Sequence, residues 1–228
     1  MTGLIFITHQ TEKYSYAQSA EIALRGGCKH IQLRMKDAPF AEIKKTAVVV
    51  KKLCDQYGAC FYIDDHVEIC KNVGATGVHL GKTDMPPAEA RKILDNDFII
   101  GSTANTFDDI VNLHKVGVDY IGLGPFRFTE TKKNLSPLLG LKRYTTILQQ
   151  CRENKIDLPI FAIGGIAKRD IPELMKTGIA GVALSSTILR AKNPVEETKK
   201  LIKTIQKESK IWEFFGDFLF GGVVTDIW

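Results

Sequence analysis

Short, near-continuous apolar runs recur along the chain: Leu4–Thr8, His30–Arg34, Cys60–Asp64, Gly77–Leu80, Phe98–Ser102, Tyr120–Leu123, Ile160–Ile163 and Gly181–Leu184. A strand whose two faces are both covered reads this way, whereas a half-exposed strand alternates. Between the runs lie segments of helical period. Ser15–Arg25 closes at Gly26-Gly27, and Phe40–Tyr57 carries Ile43, Ala47, Val50 and Cys54 on one side and stops at Gly58. Pro86-Pro87 opens Ala88–Leu94, Asp108–Val116 ends at Gly117, Asp170–Met175 ends at Gly178, and Pro194 opens a helix to about Lys207. Strand and helix alternating eight times with short connections predict an α/β protein of a single domain, a (β/α)8 TIM barrel over residues 1–210. A doubly wound open sheet fits the spacing less well, because eight units in a chain of 228 residues is the arithmetic of the barrel. Residues 211–228 break the pattern: Trp212, Phe214, Phe215, Phe218, Phe220 and Trp228 make an aromatic tail of unassigned role, costly to leave in water.

Composition narrows the class. With 44% apolar and 25% charged residues the chain is ordinary globular protein. No apolar run approaches the ~20 residues of a bilayer span, and the N-terminus lacks the pattern of a signal peptide. Five scattered cysteines without a C-x-x-C pair read as reduced core thiols, so a cytoplasmic location is expected. A net charge of +5 without an aromatic-and-basic block gives no reason to expect nucleic acid or membrane as a partner. Small phosphorylated molecules are the expected partners, with a homo-oligomer left open.

Chemistry in a barrel of this kind sits at the C-terminal strand ends. Gln32, Arg34 and Lys36 alternate and therefore point to one side of strand 2, toward the mouth. Two cations and an amide converging there call for an anion, either a ligand or an internal carboxylate from Asp37, Asp64 or Asp65. Asp64-Asp65 and Asp84 end neighbouring strands; hard oxygens suit Mg²⁺ together with substrate phosphates, while helix capping by Asp64 or Asp65 is the alternative. Gly164-Gly165 after strand 7 and Ser185-Ser186 after strand 8 have the character of a phosphate site, as against a plain glycine turn. His79 is either a base or a packed, hydrogen-bonded core residue. Read from residues alone, this is a barrel enzyme for phosphorylated substrates that uses Mg²⁺.

Six stretches together resemble the thiamine phosphate synthase (thiamine-phosphate pyrophosphorylase) and thiazole tautomerase family: Gln32-Leu33-Arg34-Met35-Lys36-Asp37, Tyr62-Ile63-Asp64-Asp65, Gly77-Val78-His79-Leu80-Gly81, Asp119 to Pro125, Thr129-Glu130-Thr131-Lys132-Lys133, and Ala162-Ile163-Gly164-Gly165-Ile166. The resemblance implies a transferase of thiamine biosynthesis that joins a pyrimidine diphosphate to a thiazole phosphate and releases pyrophosphate. It implies Gln32, Arg34, Lys36, Asp64, Thr103 and Lys132 along the pyrimidine diphosphate, with Arg34, Lys36 and Lys132 catalytic. It implies Asp65 and Asp84 on Mg²⁺, and Thr129, Thr131, Gly165, Ser185 and Ser186 on the thiazole phosphate. Asp64, Lys82 and Asn105 depart from the family pattern, which usually has Asn, Gln and His there. Asp64 and Lys82, at adjacent strand ends, are expected to neutralise each other. The tautomerase branch tends to carry a catalytic His where this chain has Pro125, which argues against an isomerase. A non-catalytic phosphate-ligand-binding barrel is the remaining alternative.

Overall fold

A computed structural model describes residues 1–128 and 138–219, with side chains described through residue 210. Eight parallel strands close into a barrel in sequence order: β1 (Gly3–Ile7), β2 (His30–Leu33), β3 (Cys60–Asp64), β4 (Gly77–Leu80), β5 (Ile99–Ala104), β6 (Tyr120–Leu123), β7 (Ile160–Ile163) and β8 (Gly181–Leu184), with β8 pairing back onto β1. The helices are α1 (Tyr16–Arg25), α2 (Phe40–Gln56), α3 (Val67–Val73), α4 (Pro87–Leu94), α5 (Phe107–Val116), α6 (Gly140–Glu153), α7 (Ile171–Met175), α8 (Ser186–Leu189) and α9 (Pro194–Leu219). The (β/α)8 barrel expected from the apolar runs is therefore the fold.

Local signals set the helix ends. Ser15 caps α1 in a capping box with Gln18, and Thr106 does the same for α5 with Asp109. Gly74 and Gly117, in the left-handed region at φ 62° and 81°, end α3 and α5. The helix that opens at Pro194 passes the expected end near Lys207 and continues to Leu219, so residue 210 lies within α9. The five cysteines are free thiols, four of them buried.

The period of two sorts each strand into a helix-facing and a barrel-facing set. Leu4, Phe6, Ile31, Leu33, Phe61, Ile63, Val78, Leu80, Ile121, Leu123, Val182 and Leu184 face outward and form the main core with the helices. Ile5, Tyr62, Tyr120, Phe161 and Ala183 fill the barrel. Large and small residues alternate around it: Tyr62 pairs in register with Gly77, Tyr120 with Gly101, and Phe161 with Gly181. The same alternation places Gln32, Asp64, His79 and Thr103 inward, one layer above the rings, at the C-terminal mouth.

Candidate active site

Above the aromatic layer the mouth opens into a cavity of about 1180 Å³, its open solvent included. Gln32, Arg34, Lys36, Asp64, Asp65, Asp84 and Thr103 line it, and so do Gly165, Ser185 and Ser186. The structure thus brings together every expected site residue except Thr129, Thr131 and Lys132, which lie outside the described residues.

Arg34 and Lys36, just past the end of β2, have carboxylate partners. Asp64, 7% exposed, accepts from Gln32 Nε2 at 2.5 Å, and its other oxygen lies 3.3 Å from Arg34 Nε. Lys36 Nζ lies 3.7 Å from Asp65. The internal-carboxylate alternative is therefore realised, and an anion bound by these cations would exchange with the carboxylates. Burial pushes the Asp64 carboxyl above the usual carboxylate range, and Arg34 and Gln32 pull it part of the way back.

This pairing corrects one expectation. Asp64 and Lys82 do not neutralise each other: Lys82 Nζ is 2.6 Å from Asp109, in the first turn of α5. The Asp109 carboxylate also accepts from the backbone N–H of Asn105 and Thr106, at 2.8 and 3.0 Å, so it is held in place as a partner for Lys82. Asn105 donates its side-chain amide to the Gly124 carbonyl, tying the end of β5 to the end of β6.

Asp65 and Asp84 meet at the ends of β3 and β4. Burial raises the Asp65 carboxyl, and the carboxylates of Asp64 and Asp84 raise it further. At Asp84 the penalty of burial is outweighed by hydrogen bonds from the Asp65 carboxyl and the Gly81 N–H, the latter at 2.6 Å, so its pKa is lowered. Two adjoining carboxyls with opposed shifts titrate as a pair. The backbone of Asp65 is left-handed at φ 67°, an uncommon conformation for a residue with a side chain. Capping does not explain the pair: the N-cap of α3 is His66, with no side-chain hydrogen bond.

Across the mouth, Gly164 and Gly165 are left-handed at φ 85° and 66°. A Cβ on Gly165 would lie 2.6 Å from the Phe128 carbonyl oxygen, so only glycine fits. Ser185 Oγ, at the start of α8, is buried without a hydrogen-bond partner among the described residues. A buried hydroxyl left unmet is costly, and a ligand oxygen would satisfy it. Sequence reasoning missed the support of this loop. Arg127 holds Asp170 through two hydrogen bonds of 2.8 and 2.9 Å and donates to the Gly165 carbonyl at 3.1 Å. No local signal marks that pair, because its members are 43 residues apart.

His79 is the packed residue rather than the free base of the two readings. Its ring is buried, with Nδ1 3.1 Å from the Tyr120 hydroxyl and Nε2 3.0 Å from Thr103 Oγ1. Among the described residues no helix is long and apolar enough to cross a membrane.

Comparison with known proteins agrees with this geometry. The family model for thiamine monophosphate synthase matches residues 4–188. A thiamine-phosphate synthase of Phocaeicola vulgatus is 61% identical over 199 residues, 87% of this chain and 96% of that protein. One from Bacteroides thetaiotaomicron is 56% identical over 202 residues, 89% and 97% of the two chains. Among solved structures, a thiamine phosphate pyrophosphorylase from Pyrococcus furiosus superposes with a TM-score of 0.81 at 31% identity, covering 91% of this chain and 96% of that one. The family match runs from β1 into α8, and the chain belongs to the thiamine monophosphate synthase family.

Proposed function

We propose that the protein condenses 4-amino-2-methyl-5-hydroxymethylpyrimidine diphosphate with hydroxyethylthiazole phosphate, giving thiamine phosphate and pyrophosphate. The observation that carries the reading is one cavity with two anion-seeking walls. Gln32, Arg34 and Lys36 stand on one, and the unmet Ser185 hydroxyl stands near Gly165 on the other. Two phosphorylated substrates need two such walls, and family membership supplies the reaction type.

The chemistry asks for little bond-making from the protein. The exocyclic amine of the pyrimidine releases electrons toward the CH₂ group, so the C–O bond breaks with its electron pair leaving on pyrophosphate. The thiazole nitrogen lone pair then closes on the resulting carbon cation, and the new C–N bond leaves a thiazolium. Arg34 and Lys36 would neutralise pyrophosphate as charge grows on it, joined by Lys132 in the role the resemblance implies. Gln32, Asp64 and Thr103 would line the pyrimidine diphosphate. Thr129, Thr131, Gly165, Ser185 and Ser186 would hold the thiazole phosphate so that its nitrogen faces the cation. No dedicated general base is needed, which suits a site where the buried histidine, His79, is engaged by Tyr120 and Thr103.

Mg²⁺ fits the donor set at Asp65 and Asp84. Two hard carboxylates at the ends of neighbouring strands, in the same cavity as Arg34 and Lys36, match its habit of taking one or two carboxylates with substrate phosphates and water. When bound there, Mg²⁺ would supply positive charge to the departing pyrophosphate.

The deciding experiment gives the purified chain both substrates, with and without Mg²⁺, and follows both products. Mg²⁺-dependent formation of thiamine phosphate and pyrophosphate in equal amounts is expected. A folded sample that forms neither would overturn the reading.

A further inference from the structure

The cavity floor carries a hydrogen-bond chain that the proposed reaction does not itself use. It runs from the Tyr120 hydroxyl to His79 Nδ1, 3.1 Å, and from His79 Nε2 to Thr103 Oγ1, 3.0 Å. Three neighbouring strands contribute one residue each, and all three residues are buried. Thr103 borders the cavity, and His79 and Tyr120 line its floor. The Tyr120 ring is fixed from several sides. Its centroid lies 5.9 Å from those of both Tyr62 and Phe161, in edge-on contact. It also covers Gly101, where a Cβ would come within 2.0 Å of its Cζ.

Counting hydrogens along the chain sets its direction. Burial raises the Tyr120 phenol well above its ordinary pKa, so the hydroxyl keeps its proton. Among the described residues, that proton has one acceptor within reach, His79 Nδ1. Were Nδ1 itself protonated, in the neutral ring or in an imidazolium, the Tyr120 proton would be a buried donor without a partner among the described residues, which is costly. With Tyr120 donating, Nδ1 is bare and Nε2 carries the hydrogen. Nε2–H donates to Thr103 Oγ1, and the Thr103 hydroxyl hydrogen is left to point into the cavity. In the opposite tautomer Thr103 would spend its hydrogen on Nε2 and show a ligand only lone pairs, which repel an anion.

We infer that Tyr120 is a positioning residue: it locks His79 in the Nε2–H tautomer and so makes Thr103 a hydrogen-bond donor to an anionic oxygen of the bound diphosphate. This rests on the placement of Thr103 in the diphosphate wall and adds the residue that gives it its polarity. Neither Tyr120 nor His79 needs to touch the substrate.

The test begins with ligand-free, full-length protein labelled with ¹⁵N-histidine, because two-bond ¹H–¹⁵N correlations separate the two tautomers and the imidazolium. One buried histidine should appear as the pure Nε2–H form, and it should be the one whose signals shift toward a mixture in Tyr120→Phe. Inorganic pyrophosphate, measured by calorimetry with Mg²⁺ present, should bind Tyr120→Phe about tenfold more weakly than the parent chain. Thr103→Ala should lose a similar factor, and the double variant no more than either single one. A pure Nδ1–H tautomer or an imidazolium at that histidine overturns the proposal without any variant having to fold. So does a Tyr120→Phe protein with unchanged tautomer and pyrophosphate affinity. The tautomer is read without substrate, so failure of the condensation reaction and failure of the lock are told apart.

Discussion

Arg34 and Lys82 each hold a carboxylate, and which carboxylate each one holds decides how substitutions at the mouth combine. Arg34 pairs with nearly buried Asp64, and Lys82 pairs with Asp109. Groups that share a partner couple, while groups with separate partners act independently. Asp64→Asn and Lys82→Gln should therefore add in urea denaturation to within about 0.5 kcal/mol, whereas Asp64→Asn and Arg34→Gln should show coupling of about 1 kcal/mol. Strong coupling in the first cycle, or none in the second, would contradict the pairing. The alternation Gln32-x-Arg34-x-Lys36 predicted three side chains on one wall; all three line the cavity, although β2 ends at Leu33 and strand period therefore accounts for Gln32 alone. Partner choice was not legible. Adjacent strand ends put Lys82 and Asp64 near each other in the sequence pattern, but Asp109, pinned by two backbone N–H groups, enters from a helix on the next strand's loop. The support of Gly165 by Arg127 and Asp170 was hidden for the same reason: side-chain reach across loops leaves no period.

At the level of elements, the barrel depends on alternating bulk. Tyr120 occupies the space that Gly101 leaves, and the two are register partners. Gly101→Ala would drive a methyl group into a ring that cannot move, since Tyr62 and Phe161 flank it. Overpacking of this kind costs ~1–3 kcal/mol, and the loss should appear as a lower urea midpoint with an unchanged slope. A variant as stable as the parent would show that the interior repacks freely. The strands were legible because both faces are buried, and β3, β4, β6, β7 and β8 have the bounds that their apolar runs predict. Three helices were given no bounds. The start of α6 at Gly140 has Leu139 as N-cap and no side-chain cap, and its interior carries Thr145-Thr146, so neither a start signal nor high propensity announces it. The seven residues of α3 and the four of α8 are too short to show a helical period, and tertiary packing holds them.

For the molecule as a whole, the question is where the barrel ends. Although the family match ends at residue 188, α9 is structurally part of the barrel. Thr198, Leu201 and Ile205 are buried on it, and Gly26 is bare because a Cβ there would sit 2.3 Å from the Thr198 side chain. This helix closes the ring next to β1 and α1, where a barrel built in sequence order must join its last unit to its first. The aromatic segment after residue 210 made the tail look separate, because aromatic composition is legible while the continuation of a helix through it is not. The buried positions described on α9 end at Ile205, five residues before the boundary drawn from composition. A chain ending at Lys210 should therefore keep its cooperative transition, with Tm lowered by no more than about 4 °C, the shift of roughly 1 kcal/mol in a domain of this size. A chain ending at Asn193 uncovers the sides of α1, α7 and β1 on which α9 packs and should lose cooperative unfolding altogether. Were the chain ending at Lys210 also to lose its cooperative transition, residues 211–228 would belong to the folding unit, and the domain would have to be drawn to its last residue.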